Sequence, residues 1–458
     1  MGQGHPSLWP LLQQLWEFLS QRVFSESEKE GQRTLALSVA RFTRNIVANV
    51  PSNQVHAFES EPFIRKLIHS ATSWSVMQDS SSFACTRMMV QAMSNIVTAN
   101  EQLLNAIWGT YTSLPDEQSI LVRLLACPDA KIILSVLVFI MNCVHEDQQR
   151  CAALVRTPAG ARICILILDR MVDLYDADEN TEWAHAFDYG YHLFAHLFNN
   201  GFASELYTRL SVADEVISPH QTVLLKLLDS HLQSSHPHSI HKHLCVTLTA
   251  TFFELSTYAQ GSIARALGPP PPSGSEDDHA PRELDVLLPK VCEALVLVTQ
   301  CLATMILHSE AVRIDNISNE DLQRDVNSFR DATGRYVVEN IVELLRRLDA
   351  FLPRINFGKP VDSPYGGPQL PAAADPAGFV YLKRDLVRLL GVLCHNDRRV
   401  QDLVRTCGGI PVVMNMCVID ERNPYLREHA ILAIRNLTAD NVENQSVVNE
   451  IQPVQTST

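Results

Sequence analysis

The chain has 458 residues, 46% of them hydrophobic, which is enough for several ordinary domains or for one long stacked array. Charged residues make up 19% and the formal net charge is -14. With only doublets such as Arg346-Arg347 and Arg398-Arg399 and no basic run, that acidity argues against a nucleic-acid partner, because phosphates would be repelled. The eleven cysteines are scattered without a Cys-x-x-Cys pair, which fits reduced, packed thiols in a cytosolic protein without a signal peptide.

In chain order, Gly2 suggests myristoylation, but Pro6 stands where that motif wants Ser or Thr. Leu8 to Phe24 is amphipathic and reads as a capping helix, with Leu8, Leu11, Leu12, Leu15, Leu19 and Val23 on one side. An internal echo follows. Arg44-Asn45-Ile46 precedes Asn53-Gln54, and Arg435-Asn436-Leu437 precedes Asn444-Gln445, with eight residues from Asn to Asn in both copies. Fainter copies are Asn95 followed by Gln102 and Asn142 followed by Gln149, seven residues on. The starts at Asn45, Asn95 and Asn142 are 50 and 47 residues apart, and Leu393 to Gln401 matches Leu437 to Gln445 at a shift of 44. Tyr189 to Leu210 has helical spacing with little echo. No apolar run reaches the roughly 18 residues of a membrane span; the longest, Ile132 to Val144, contains Asn142.

Four consecutive prolines rule out regular helix in Gly268 to Pro281, and Phe357 to Gly378 is similarly rich in Pro, Gly and Ala. Both read as loops projecting from the array, and Gln452 to Thr458 as a disordered tail. Near the C-terminus, Gly408-Gly409 suits a left-handed helix stop and Pro411 the next first turn. Asn423 reads as a helix cap and Pro424 as the first helical residue, with Leu426, Ala430, Ile431, Ile434 and Leu437 on one face. Short helix, tight corner and longer helix at periods of about 40–47 residues predict an all-α fold. The expected architecture is an armadillo/HEAT-like α-solenoid superhelix with two Pro/Gly-rich loop insertions. Stacked units bury the apolar face that one unit alone cannot. The expected segments are an N-terminal array over 1–267, a proline-rich acidic loop over 268–282 and helical repeats over 283–356. A loop over 357–378, C-terminal repeats over 379–451 and the tail over 452–458 follow.

Little in the chain invites chemistry. His231, His236, His238, His241, His243 and Cys245 form the one cluster with metal-ligand character, but His236-Pro237-His238 and the surrounding serines suggest a flexible polar corner. No Gly-x-Ser-x-Gly elbow or phosphate loop occurs, and Glu276-Asp277-Asp278 lies in an expected loop where nothing would tune its acidity. No enzyme activity and no cofactor are therefore expected. Ser218, Ser363 and Thr157 each precede a proline and Ser275 precedes acids; of these, Ser275 and Ser363 are the expected phosphorylation sites because they lie in loops.

The repeat pattern resembles armadillo arrays, in which an Asn of the third helix can hold an extended peptide. By that resemblance Asn45, Asn95, Asn142 and Asn436 occupy the place. Nuclear-import adaptors carry Trp four residues earlier, where this chain has Arg41, Gln91, Val138 and Leu432. The alternative is that each Asn bonds a neighbouring turn and fixes the stacking. More specifically, Leu393-Cys-His-Asn-Asp-Arg-Arg-Val-Gln-Asp402, Gly409-Ile-Pro411, Asp420, Asn423-Pro-Tyr-Leu-Arg427, Ala430-Ile431, Ala433-Ile-Arg-Asn-Leu-Thr438 and Asn444-Gln445 resemble the C-terminal domain of the ataxin-10 family. The divergent remainder and short tail look like a fungal or other distant member. The resemblance implies a cytosolic scaffold linked to cell division, particularly cytokinesis. A copper-transport name borne by some fungal relatives finds no supporting motif. Other proteins are the expected partners, contacted through Asn45, Asn95, Asn142, Asn436 and Arg435, or through the exposed corner with Glu421, Arg422 and Tyr425. An adaptor holding a peptide along the asparagines, and metal handling through His236, His238, His241 and His243, are the alternatives. Oligomeric state is not legible.

Overall fold

In the computed structural model the described residues are 8–21, 29–77, 79–234, 242–268, 285–314, 321–352, 354–356, 359–360 and 379–451. Most of them are helical. The chain forms two compact units, residues 1–210 and 211–458. The expected tail, most of both expected loops and the residues at Gly2 and Pro6 lie outside the described residues.

The first unit contains α1 (Leu8–Gln21), α2 (Lys29–Val47), α3 (Pro51–Phe58), α4 (Glu61–Ala71), α5 (Trp74–Met77), α6 (Phe83–Val97), α7 (Glu101–Tyr111) and α8 (Ile120–Leu125). It continues through α9 (Ala130–Val144), α10 (Gln148–Arg156), α11 (Pro158–Leu174), α12 (Glu182–Asn199) and α13 (Ala203–Arg209). One helix of each repeat stacks on the next in succession: α2 on α6, α6 on α9, α9 on α12. That succession is the armadillo-like array expected from the echo. Caps place the helix starts. Asn100, Asp129, Asp147, Thr157 and Thr181 each accept the backbone N–H three residues on, satisfying a donor that the first turn leaves open.

The second unit holds α14 (Pro219–Ser234), α15 (Lys242–Leu267), α16 (Leu288–Ile314), α17 (Leu322–Ser328) and α18 (Val337–Phe351). A two-residue hairpin follows, β1 (Ile355–Asn356) antiparallel to β2 (Lys359–Pro360), with Ile355 opposite Pro360. Then come α19 (Leu382–Leu393), α20 (Arg398–Thr406), α21 (Gly409–Asn415), α22 (Leu426–Thr438) and α23 (Val442–Glu450). Here α16, α19 and α22 stack in turn.

Three sequence expectations change. In α1 the buried stripe is Leu12, Trp16, Leu19 and Ser20, whereas Leu11 and Leu15 are exposed; Trp16 Nε1 donates to Thr43 Oγ1 at 3.3 Å and sets which face turns inward. Helix α22 starts at Leu426, because Asn423 is not its cap: Asn423 is buried in the corner and Tyr425, at φ 66°, makes the entry. Its buried face is Leu426, Ala430, Ala433 and Leu437, while Ile431 is half exposed. Finally, Leu288–Ala311, 24 residues with mean hydropathy 1.7, is long and apolar enough to cross a bilayer, although Lys290 and Glu293 broke the run in the sequence. Most of its apolar window, 72%, is buried, and α16 contacts α14, α15 and α19, as a helix apolar all round does in a protein core. The pair α10 and α11 would pass the same test only as one span, and it is bent by 82°.

Candidate interaction surface

The long helices end in nearly identical corners. Four residues beyond each of Asn45, Asn95, Asn142, Val392 and Asn436 stands a left-handed residue: Asn49 (φ 56°), Ala99 (58°), Glu146 (54°), Asn396 (51°) and Asp440 (52°). A non-glycine residue in this region costs roughly 1–2 kcal/mol, so the surrounding bonds must hold the corner. The following residue is extended or nearly so, with φ between -120° at Asp397 and -132° at Asp147, and begins the next short helix. A side chain on that helix then reaches back seven residues to the open carbonyls of the long helix. Asn53 Nδ2 donates to Ile46 O at 2.7 Å, Asn444 Nδ2 to Leu437 O at 2.7 Å, and Gln445 Nε2 to Thr438 O at 2.8 Å. Arg150 Nε does the same to Cys143 O, and Cys151 Sγ to Val144 O at 3.3 Å.

The second half of the echo links repeats. Gln54 Nε2 donates to Asn95 O at 3.0 Å and Thr98 O at 2.9 Å, both on the next long helix. Gln401 Nε2 bonds Asn436 O at 2.8 Å in the same way. The ladder asparagines reach in the opposite direction. Asn95 Nδ2 donates to Arg44 O at 3.1 Å, Asn436 Nδ2 to Gly391 O at 2.9 Å, and Asn142 Nδ2 to Ser94 Oγ and Thr98 Oγ1 at 2.9 and 3.1 Å. Asn45 is exposed, and its Oδ1 accepts from Arg44 at 3.2 Å. Of the positions where import adaptors place Trp, Gln91 is itself bridged to Arg44 (2.8 Å) and Ser135 (3.4 Å). The donors of three of the four asparagines are thus engaged in stacking. Gln102 and Gln149 are exposed and make no such bond; beside Gln149, Arg150 and Cys151 make it instead, whereas beside Gln102 the corresponding residues are Leu103 and Leu104. In the faint fourth copy, His196 Nε2 lies 3.2 Å from Val144 O. Its ring stacks on His145 at 5.8 Å.

The corner before α22 is the other expected surface. Asp420 is buried, and its carboxylate accepts from Ile355 N (3.2 Å), Arg422 N (3.1 Å) and Asn423 Nδ2 (2.9 Å). Glu421 N donates to Ile355 O at 2.9 Å, so β1 and the corner are joined. Beneath them Lys383, 1% exposed, donates to Asp349 Oδ1 at 3.2 Å and Leu352 O at 2.8 Å. Asp349 Oδ2 accepts from Asn415 Nδ2 at 2.7 Å, and Arg354 holds Asn415 Oδ1 at 2.8 Å. Burial lowers the Lys383 pKa below the ordinary lysine value, although the charges of Asp349 and Asp420 oppose this. The network carries no sequence motif; only the run Tyr-Leu-Lys-Arg at 381–384, matching Tyr-Leu-Arg at 425–427, marks its place. Tyr381 and Tyr425 share the left-handed conformation (φ 70° and 66°), 44 residues apart, each just before a stacked helix. Tyr425 is 70% exposed, and Val418, Ile419, Ile431 and Leu432 are also exposed. Arg435 is exposed on the same helix, and Glu421 and Arg422 are exposed and half-buried.

The remaining candidates separate. His236, His238, His241, Ser275 and Ser363 lie outside the described residues. His231 is buried on α14 and His243 exposed on α15. Among the described residues no three His, Cys, Asp or Glu side chains converge on a metal-sized site. Ser218 is buried and in a mutual cap with Gln221: Gln221 N donates to Ser218 Oγ at 3.1 Å, and Ser218 N to Gln221 Oε1 at 2.9 Å. Thr157 caps α11 at 3.0 Å.

Comparison with known proteins bears on the same stretch. A family profile described as the spinocerebellar ataxia type 10 protein domain matches residues 382–458. The ataxin-10 homolog of Dictyostelium discoideum is 44% identical over 70 residues, 15% of this chain and 12% of that protein. Ataxin-10 of Xenopus tropicalis is 24% identical over 367 residues, 80% of this chain and 64% of that protein. The chain therefore aligns with less than two thirds of the length of either relative. Among solved structures, that of SYS-1 aligns with 98% of this chain and 80% of its own at 12% identity, with a TM-score of 0.33. Residues 382–458 thus resemble a domain of the ataxin-10 family, and the longer alignment to the frog protein extends the similarity over most of the chain.

Proposed function

We propose that the chain is a non-enzymatic, cytosolic protein-interaction scaffold that serves cell division, cytokinesis in particular. The observation that carries this reading is the corner before α22. A buried network rooted in Lys383 and Asp420 holds it, yet it presents Tyr425 to solvent, with Ile419 before it and Leu432 on the following helix also exposed. Exposed apolar side chains on a fixed frame suit a protein partner. Similarity to the ataxin-10 family supports the link to division through what the resemblance implies. Engagement of the Asn95, Asn142 and Asn436 donors in stacking weighs against an adaptor that holds a peptide backbone along the ladder.

Proximity labelling in dividing cells tests the reading. Labelled septum or spindle-pole proteins support it. Transport cargo would favour the adaptor instead, and normal division on deletion together with altered copper tolerance would favour metal handling.

A further inference from the structure

The stacked helices share one set of faces, and α2 leaves its own open. Ten residues before each ladder place stand Cys85, Ile132, Leu382 and Leu426, and three before it Ala92, Phe139, Leu389 and Ala433; all are buried. The helices that carry them, α6, α9, α19 and α22, pack on a preceding stacked helix, α2, α6, α16 and α19 in turn. On α2 the same two places hold Leu35 and Phe42, 38% and 44% exposed. No stacked helix precedes α2 among the described residues. Helix α1 touches α2 but heads a second row, packing on α4 as α4 does on α8 and α8 on α11. Its Leu11, Leu15 and Phe18, at helical spacing, are exposed as well. The end of a stacked array ordinarily needs a polar outer face.

The repeat itself says what shape covers such a face. Asn436 Nδ2 donates to Gly391 O of the helix before it, and Asn95 Nδ2 to Arg44 O. Asn45 holds the same place on α2, but only its Oδ1 is bonded, to Arg44; its Nδ2 makes no hydrogen bond among the described residues. At the joint of α19 and α22 a Cβ on Gly391 would meet Ala433 at 3.3 Å. The residue that gives its carbonyl to the asparagine therefore also faces the place three before it. On α2 that place is Phe42, whose bulk requires a small residue opposite. One turn before Gly391 stands Val387, which is buried. The last stacked helix of a second copy offers Ile431 and Arg435 at these two places, and a long charged side chain does not meet the requirement.

We propose that the open face of α2 docks an amphipathic helix of a protein partner as one more member of the stack. That helix carries an apolar residue and, four positions on, a Gly, Ala or Ser in its last turn. The small residue lies over Phe42 and gives its backbone carbonyl to Asn45 Nδ2. Apolar contact with Leu35 and Phe42 supplies the affinity, and the carbonyl sets the register. The choice of a protein occupant rests on the scaffold reading above, and the face shares no residue with the corner before α22.

The test titrates a hydrocarbon-stapled helical peptide with the sequence of residues 381–395, which contains Val387 and Gly391, into the full chain. Labelled Leu methyl groups and Asn side-chain amides are followed by NMR. Saturable shifts are expected at Leu35 and at the Asn45 amide. The same peptide with Gly391→Leu should bind about tenfold more weakly, and Asn45→Ala in the chain should weaken binding about fivefold. Phe42→Glu, at an exposed position, should abolish the shifts while the melting temperature stays at the parent's. No saturable shift at Leu35, equal binding of the Gly391→Leu peptide, or unchanged binding by Phe42→Glu would each overturn the proposal. Shifts at Leu35 that follow chain concentration without peptide would also overturn it, by making a second copy the occupant. The scaffold reading fails independently, by an absence of partners in dividing cells.

Discussion

Asn436 and Asn45 occupy the same place in the repeat and do different things. Asn436 closes a 2.9 Å bond to Gly391 O of the preceding stacked helix, while Asn45 is exposed beside Arg44. Asn436→Ala should therefore cost about 1–3 kcal/mol, because a partly buried carbonyl is left open, and Asn45→Ala about 0.5 kcal/mol or less. Urea unfolding of the two variants checks this; equal effects would mean that the ladder bond contributes nothing. Lys383→Ala should cost about 3–5 kcal/mol, since it strips the cation from buried Asp349 and Asp420. A melting curve like the parent's would count against the network as the anchor of the corner. The asparagines were visible in the sequence because the same spacing recurs. Their direction was not, since an Asn side chain can face a ligand or the neighbouring helix at the same spacing. Lys383 was not legible at all: a lone lysine in Tyr-Leu-Lys-Arg reads as surface until Asp349, 34 positions away, is brought beneath it.

Helices pack closely enough for single atoms to matter. A Cβ at Gly391 would meet Ala433 Cα at 3.3 Å, and one at Gly160 would meet Leu154 O at 2.2 Å. Backbone cannot yield as a side-chain end does, so Gly160→Ala should lower the melting temperature clearly more than Gly109→Ala, where nothing lies within 4 Å. Leu437→Ala, removing a fully buried side chain from α22, should cost about 2–5 kcal/mol. The histidine at the α9–α12 joint adds a pH dependence. Burial lowers the His196 pKa, as does the nearby charge of His145, against the Val144 carbonyl and Glu146. A depressed folded pKa means the unfolded chain takes up the proton first. The contribution is then present above about pH 6.5 and lost as the pH falls below it. His196→Gln should flatten that part of the stability profile between pH 7 and 5.5; an unchanged slope would exclude His196 as its source. At this scale the helices themselves were legible from apolar periodicity. Their inward faces were less so, because the Trp16–Thr43 contact orients α1 and the left-handed Tyr425 sets the entry to α22, and no periodicity encodes either. The apolar length of helix α16 is masked in the sequence by Lys290 and Glu293 in its first turns.

Each unit is a succession of long helices joined by one repeated corner, and the echo of Asn, Asn and Gln is the chemical record of that repetition. Left-handed residues as unlike as Ala99, Glu146 and Asp440 occupy the same place because the bonds around them, not their own preference, set the backbone. That is why the fold class survives where the residue pattern fades. What the frame presents outward is the functional question. Tyr425 stands on the corner fixed through Asp420, with Leu432 exposed on the helix that follows. Affinity purification from dividing cells, followed by mass spectrometry, should recover protein partners with the parent chain. Tyr425→Ala/Leu432→Asp, both surface changes, should lose most of them while melting at the parent's temperature. Recovery of no partner above background, or of the same partners with the double variant, would contradict a scaffold that works through this corner.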